Sequence, residues 1–310
     1  MDAAIFGLIV ADLIAEPFDL RHPPAPGGLV LCNSIQLTTG GNVCNSGIAM
    51  AKLGMKVAAA GTVGNDVLGS AVIERLTTVG VDTTAVFRDA DAQTAATVVA
   101  VEPGGERCFF HTVGANKGID ADLFRRCIPV LARCAWVQIG YFGLLQKLVP
   151  DLPACLAELR KAAPGVKIAF DTVNPPGTRA ELDPILPHLD LFAPSRTEAA
   201  GLTGETDPKR MVASFRRQMP RGIIGIKLDA EGCLLDDGDH AVFVPACKVD
   251  VVDTTGAGDS WFGGLLTGLI KQMPLEQAGR FANRVAADCC TALGASAGIR
   301  SFDETMARMK

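Results

Sequence analysis

Apolar residues fall into short, near-continuous runs that alternate with segments of helical period. Runs at Ala4–Val10, Val57–Thr62, Ala135–Ile139, Lys167–Asp171, Leu189–Ala193, Gly222–Lys227 and Gly232–Asp236 read as strands. Between them, Val43–Leu53 (stopped by Gly54), Val67–Val79 (stopped by Gly80), Leu152–Ala163, Thr197–Leu202 and Pro208–Gln218 read as helices. This alternation predicts βαβ units, hence an α/β fold: a doubly wound, mostly parallel sheet with helices on both faces. The strands show little polar alternation, as parallel strands buried on both faces should.

Two stretches break the alternation. Gly28–Thr39 and Thr84–Thr112 look like strand after strand, the second folding about a turn signal at Pro103-Gly104-Gly105. They predict a small antiparallel sheet outside the main one, with edge strands of the main sheet as the alternative. The pattern gives one domain over 1–310, carrying insertions at about 13–39 and 84–112.

Composition narrows the class. Hydrophobic residues make up 48% of the 310, too many for intrinsic disorder. Lys plus Arg is 29 against 34 Asp plus Glu, a net charge of −5, and no basic run exists, which disfavours nucleic acid. The apolar run Ala3–Ala11 is too short to span a bilayer, lacks a basic leader and is interrupted by Asp12, so the expectation is a cytoplasmic protein with no membrane partner. Several of the ten cysteines sit in apolar segments and none forms a C-x-x-C pair. The four histidines, His22, His111, His188 and His240, share no ligand spacing. Reduced thiols and no structural metal follow.

The sharpest chemical feature is Val251–Leu266, VVDTTGAGDSWFGGLL. A strand end leads through Asp253-Thr254-Thr255 and Gly256-Ala257-Gly258-Asp259 into a helix whose Trp261, Phe262, Leu265, Leu266, Leu269 and Ile270 mark it as buried. Its N-terminus presents free N–H groups and partial positive charge, and the small residues let a ligand approach, which suits a phosphate or a developing phosphoryl charge. Asp259, in the first turn, is placed to accept a proton from an attacking hydroxyl. The bland alternative is a capping carboxylate after a glycine-shaped turn. No G-x-x-x-x-G-K-[ST] occurs and Gly256–Gly263 does not fit G-x-G-x-x-G, which argues against a Walker-type NTPase or a dinucleotide-dependent dehydrogenase.

The segment DTTGAGDSWFGG resembles the C-terminal signature of the ribokinase-like (PfkB) carbohydrate kinases. Further motifs follow the family order along nearly the whole chain: Gly40-Gly41-Asn42-Val43-Cys44-Asn45 with Ala49 and Leu53-Gly54, Gly61-x-x-Gly64-x-Asp66-x-x-Gly69, Gly114-Ala115-Asn116, Asp171-Thr172-Val173-Asn174 and Ser195-x-x-Glu198. The resemblance implies a ribokinase-like fold in which the small sheet is a lid, through which many relatives form homodimers. It implies Asp259 as the base and the N–H groups of Gly256, Ala257 and Gly258 as the anion hole for the γ-phosphoryl. Asp12, Gly40, Gly41 and Asn45 would contact the sugar. Glu198 would organise Mg²⁺ through water, Asn174 and Lys227 would line the phosphates of ATP, and Asn283 would lie near the adenine. Asp253, with the Thr255 carbonyl and the Gly294 region, matches a monovalent-cation loop for K⁺. Ser195 stands where relatives often carry Asn, and Gly298 where some cation-binding relatives carry Ser.

Several residues keep a second reading. Asp12 is otherwise a strand-end turn residue and Asn45 a helix-surface residue. Arg107 either touches the substrate from the lid or sits in a solvated turn, and Tyr141 either lines the sugar pocket or packs. The expected activity is transfer of the γ-phosphoryl of ATP to a hydroxyl, the primary alcohol, of a small sugar. A nucleoside kinase of the same family is the alternative, ranked second because only 5% of residues are aromatic and no aromatic pair marks a base slot. A non-catalytic sugar-binding protein is a third reading, against which the intact Asp259 and Gly-Ala-Gly run stand.

Overall fold

The computed structural model describes every residue except Leu20, Pro23, 103–106 and Lys310. The strands are β1 (Ala3–Phe6), β2 (Val10–Glu16), β3 (Ser34–Gly40), β4 (Val57–Gly64), β5 (Asp82–Asp89), β6 (Ala96–Val101), β7 (Arg107–Thr112), β8 (Trp136–Ile139), β9 (Lys167–Phe170), β10 (Leu191–Phe192), β11 (Ile223–Lys227), β12 (Gly232–Asp236) and β13 (Ala241–Pro245). The helices are α1 (Gly41–Lys52), α2 (Val67–Thr78), α3 (Ala121–Leu131), α4 (Leu152–Ala162), α5 (Arg179–Leu182), α6 (Arg196–Thr203), α7 (Pro208–Arg216), α8 (Ala257–Ile270), α9 (Leu275–Cys289) and α10 (Phe302–Ala307).

Among the described residues the main sheet has nine strands in the order β13-β12-β11-β10-β9-β8-β1-β4-β5. Pairing is parallel from β5 to β11, and β12 and β13 add an antiparallel hairpin at one edge. Within β1, Ala4 and Phe6 join the core under α3, α4, α6 and α7, while Ala3 and Ile5 join the core under α1, α2, α8 and α9. Both faces of the strand are therefore buried, which is why the sequence shows runs and not alternation. Strand order reverses at β1, which lies between β4 and β8, and a crevice at the carboxyl ends of strands at such a switch point is where α/β sheets bind ligands. Among the described residues no helix is long and apolar enough to cross a membrane. All ten cysteines are unpaired.

A second sheet of four strands, β3-β2-β6-β7, stands apart, as the β-rich segments predicted. Four details differ from expectation. The run Ala4–Val10 is not one strand: β1 stops at Phe6, Gly7 takes φ +148°, and Val10 opens β2 in the small sheet. A side chain on Gly7 would collide with Asn42, whose amide fills the break by accepting from Leu8 N at 2.9 Å and donating to Phe6 O at 3.0 Å. The Asn116 amide does the same at Ile9, accepting from its N–H at 3.3 Å and donating to its carbonyl at 3.0 Å. Buried backbone must be satisfied where it leaves a sheet, and these two amides do so. Secondly, Asp82–Asp89 pairs in parallel with β4, so the start of the Thr84–Thr112 segment is an edge strand of the main sheet. Thirdly, the small sheet is mixed, since β2 and β6 run parallel. Strand β3 begins only at Ser34. The turn signal at 103–105 lies outside the described residues.

The chain returns to the small sheet past Thr94, which Asp66 holds. The Asp66 carboxylate caps α2 at Gly69 N (2.8 Å) and takes hydrogen bonds from Thr94 N (2.8 Å) and Thr94 Oγ1 (2.6 Å). That arrangement gives the Gly64-x-Asp66-x-x-Gly69 motif its physical role.

Candidate active site

The site forms where the carboxyl ends of β8, β9 and β11 meet the N-termini of α1 and α8, under the small sheet. Helix α8 is buried from Asp259 to Gly268, packed against α1 and α9, with its first turn open at Gly258. Gly256, at φ +72°, turns the chain into that helix and packs so tightly on Ala295 that a side chain there would collide. Among the described residues the N–H groups of Gly256 and Gly258 have no backbone partner, whereas Ala257 N donates to Thr254 O at 3.2 Å in closing the turn. Of the three N–H groups named for an anion hole, those of Gly256 and Gly258 are thus the ones without a backbone partner.

Asp259, in the first turn of α8, is buried. Its Oδ2 accepts from Asn45 Nδ2 at 2.8 Å and from the Tyr141 hydroxyl at 2.7 Å. Both donors fall on one oxygen, and among the described residues Oδ1 accepts no hydrogen bond. Burial raises the carboxyl pKa above its ordinary value, while Asn45, Tyr141 and the nearby Lys227 charge oppose that rise. The result is an ionisable group with one oxygen fixed and the other available to a hydroxyl. Tyr141 itself sits in the left-handed region, φ +62°, a conformation held by its surroundings. Burial, with the Asp259 charge, pushes its phenol well above the usual range, so it remains a neutral donor.

Asn45 lies on α1, five residues after Gly40, which caps that helix. A side chain on Gly40 would collide with the Asp12 carboxylate, so Asp12 sits at the first turn of α1. Helix α1 therefore carries Asp12 at its N-cap and, through Asn45, Asp259 one turn further on. Asp12 is not at the end of the first main-sheet strand, as expected, but within β2, paired with Thr38 and Thr97. Burial raises its pKa, with the Thr97 hydroxyl and His111 acting against that. Gly41, at φ +81°, packs on the Leu8 carbonyl at the same helix start.

On the other side of α8 lies a dense charge cluster. Lys227, the last residue of β11, bonds Asp171 Oδ1 at 2.7 Å, just after β9. Its Nζ lies close to Gly258, 3.8 Å from where a Cβ would stand. Burial drives the Asp171 pKa up to about 7 even though Lys227 acts to lower it. Glu198 Oε2 accepts from Thr172 Oγ1 at 2.6 Å and Ser195 N at 2.7 Å, completing a capping box on α6. Burial works to raise the Glu198 pKa, but the Lys227 charge and these hydrogen bonds outweigh it, and it stays below the ordinary value. Ser195 also bridges in parallel to Lys227, which joins the cap to the end of β11.

Not every expected residue converges here. Asn174 is exposed on the loop after β9. Asn283 is buried with its amide engaged: Oδ1 accepts from Trp261 Nε1 at 2.8 Å, and Nδ2 donates to Val244 O at 3.1 Å and Pro245 O at 2.9 Å. It clamps α9 to α8 and β13, and its N–H groups are not free for an adenine. Asp253 is committed too. Oδ1 takes Thr255 N and Arg107 Nη2, both at 2.7 Å, and Oδ2 takes Gly294 N at 2.7 Å. Arg107 also donates to Thr255 Oγ1. The Thr255 and Ala295 carbonyls face Cys289 Sγ at 3.5 and 3.2 Å. At Gly298 any side chain would strike the Asp288 carbonyl. A guanidinium and a thiol thus fill the surroundings of a loop that the sequence suggested for K⁺, and these residues do not fit that ion.

Sequence reasoning gave Asn42, Asn116, Asp171 and Thr172 no role. Each lies inside a motif quoted for it, but their partners are far away in the chain.

A parallel sheet capped by a second small sheet, with a dry carboxylate in the first turn of a buried helix, defines the ribokinase-like class of phosphotransferase. A ribokinase-II candidate from E. coli, solved with ATP and Mg²⁺, shares this fold with a TM-score of 0.84 at 20% identity, covering 99% of this chain and 98% of that one. The profile of the pfkB family carbohydrate kinases matches residues 2–301, and the chain belongs to that family. It is a carbohydrate kinase, a phosphotransferase with an alcohol acceptor. It is similar to the ribokinase of Haemophilus influenzae (27% identical over 307 residues, 97% of this chain and 96% of that one). It is also similar to the aminoimidazole riboside kinase of Salmonella typhimurium (30% over 286 residues, 88% of each).

Proposed function

We propose that the protein transfers the γ-phosphoryl of ATP to a hydroxyl, the primary alcohol, of a small sugar held between Asp12 and Asp259. The observation that carries this reading is the half-occupied Asp259 carboxylate in the first turn of α8, next to the unpartnered N–H groups of Gly256 and Gly258. Asp259 Oδ1 takes the hydroxyl proton as that oxygen bonds to the γ-phosphorus and ADP leaves. The N–H groups and the Lys227 ammonium hold the charge on the transferring group, which is the main demand of phosphoryl transfer. Asp171 and Glu198, two carboxylates beside Lys227, would hold Mg²⁺ through water. Bound Mg²⁺ supplies charge neutralisation on the phosphates. The small sheet acts as a lid that keeps competing water away.

The test is ADP release with Mg-ATP across pentoses, hexoses, sugar acids and nucleosides. Turnover on one sugar supports the reading. Turnover mainly on nucleosides would keep the chemistry and move the acceptor to the class named by the Salmonella relative. A sugar that raises the melting temperature without any ADP would point to a binding protein.

Tyr141 tunes the base. Its hydroxyl stabilises the charged form of Asp259, so Tyr141→Phe raises the Asp259 pKa. The acidic limb of the kcat–pH profile is expected to move to higher pH, with little change at high pH. An unmoved limb would remove Tyr141 from this role.

The outer face of the lid supports a homodimer. Register places Leu37, Leu13, Val98 and Phe110 in one row across all four strands, on the face opposite Asp12, Thr38, Thr97 and His111. Phe110 is 61% exposed, and an apolar row of this kind marks an interface. Sedimentation should show a dimer that Phe110→Asp splits; a monomeric wild type would end this proposal.

A further inference from the structure

We propose that the Arg107 guanidinium is the resident cation of the Asp253 loop, so that catalysis in this chain needs lid closure and not a bound monovalent ion. The proposal rests on the kinase reading of the Gly256–Gly258 turn, which Thr255 directly precedes.

The geometry is that of a built-in charge. Arg107 opens β7 on the site-facing side of the lid, where its neighbour in the ladder is Val101. From there it crosses to the main domain, binding Asp253 Oδ1 at 2.7 Å and Thr255 Oγ1. The pair is dry, with the arginine side chain 17% exposed and the aspartate 2%. Asp253 has a fixed shape to offer, because Thr255 N and Gly294 N each hold one of its oxygens. The same loop presses on Gly256 through Ala295, so whatever sets its shape sets the entry to α8.

An ion could not simply be added to this arrangement. It would have to displace the guanidinium from Asp253 and leave it buried without a carboxylate, which is far costlier than keeping the pair. The carbonyls of Thr255 and Ala295 already meet the Cys289 thiol, and Gly298 has no room for a hydroxyl-bearing side chain. Unlike a dissociable metal ion, a guanidinium is tethered to the chain and cannot leave for solvent, and here it binds the Asp253 carboxylate and the Thr255 hydroxyl together. Because it arrives on the lid, its arrival is lid closure. A cavity of about 110 Å³, lined among others by Asp12, Thr97, Arg107, Asp253 and Gly294, runs between lid and loop, so the latch closes one wall of the substrate side. Arg107 is a positioning residue: it acts through the loop and not on the reacting atoms.

The experiment compares K⁺ with tetramethylammonium at equal ionic strength, in the wild type and in Arg107→Met. The wild type should turn over at the same rate within about twofold in both salts, and K⁺ should leave its melting temperature unmoved. Arg107→Met should lose roughly 10²-fold in kcat, the scale of a misplaced site, and added guanidinium should restore part of that loss. A wild-type rate that climbs tenfold or more with K⁺, or a K⁺-specific rise in melting temperature, overturns the proposal. So does an Arg107→Met enzyme with undiminished kcat, or one that guanidinium fails to rescue. Failure of every sugar and nucleoside to be phosphorylated would overturn the kinase reading instead, and the melting comparison would still decide the cation question.

Discussion

Asp259→Asn should lower kcat by about three orders of magnitude, within the roughly 10²–10⁴ range of a lost general base, while the protein folds normally and still binds sugar. The expectation follows from the way the carboxylate is held. Asn45 and Tyr141 both bond Oδ2, and an asparagine can keep a contact there through its own amide. What it cannot do is accept a proton. Because the side chain is buried on a rigid helix, no neighbouring carboxylate can swing in to replace it: Asp171 is tied to Lys227, and Glu198 to Thr172 and Ser195. Steady-state kinetics on the preferred sugar, with the melting temperature as a folding control, makes the measurement. A variant within tenfold of the wild type would mean that the proton leaves by another route.

Lys227→Met is the second large effect, an expected fall in kcat of roughly 10²–10³, as for one lost charge-stabilising donor. The loss is not one of folding. Asp171 sits near pH 7 with Lys227 beside it, and removing that positive charge raises it further, so at neutral pH the carboxyl takes up a proton instead of remaining as a bare buried anion. The sign is checkable: the stability deficit of the variant should be small at pH 6 and grow as pH rises and the unpaired carboxyl is forced to ionise. A deficit that shrinks with rising pH would contradict this account.

Much of this was legible in the sequence because it is local. The helix entry Gly256–Asp259 is four consecutive residues, and its buried character is written in Trp261, Phe262 and Leu265. The doubly wound sheet was legible for the same reason, since each βαβ unit declares itself within a few dozen residues. The errors have a common cause. The run Ala4–Val10 is apolar throughout, and nothing local reveals that Gly7 breaks it; the reason is Asn42, which needs the space. Asp82–Asp89 is only partly buried, without a clear alternation, so pattern alone could not assign it to one sheet over the other. Arg107 was an open question because a charged residue after a glycine turn is usually solvated, and its partners lie far off in the last third of the chain. Asn283 was placed by analogy near the adenine, whereas its amide serves Trp261 and the hairpin.

The lengths of chain between partners carry a consequence for how the enzyme comes into being. Asp259 meets Tyr141 across 118 positions and Asn45 across 214, and Arg107 meets Thr255 across 148. None of the three can close before residue 255 has been made. On a ribosome, the segments carrying Asp12, the Asn42 and Asn116 amides and β1 through β11 are all made before α8. Asp259 and the Gly256–Gly258 turn then arrive together, on one helix, and are locked only when α9 and the Gly294–Ala295 loop follow and pack against them. On the proposed mechanism, a half-made chain lacks both the proton acceptor and the N–H groups that meet the phosphoryl, so competence to transfer phosphate would appear in one step at the end of folding.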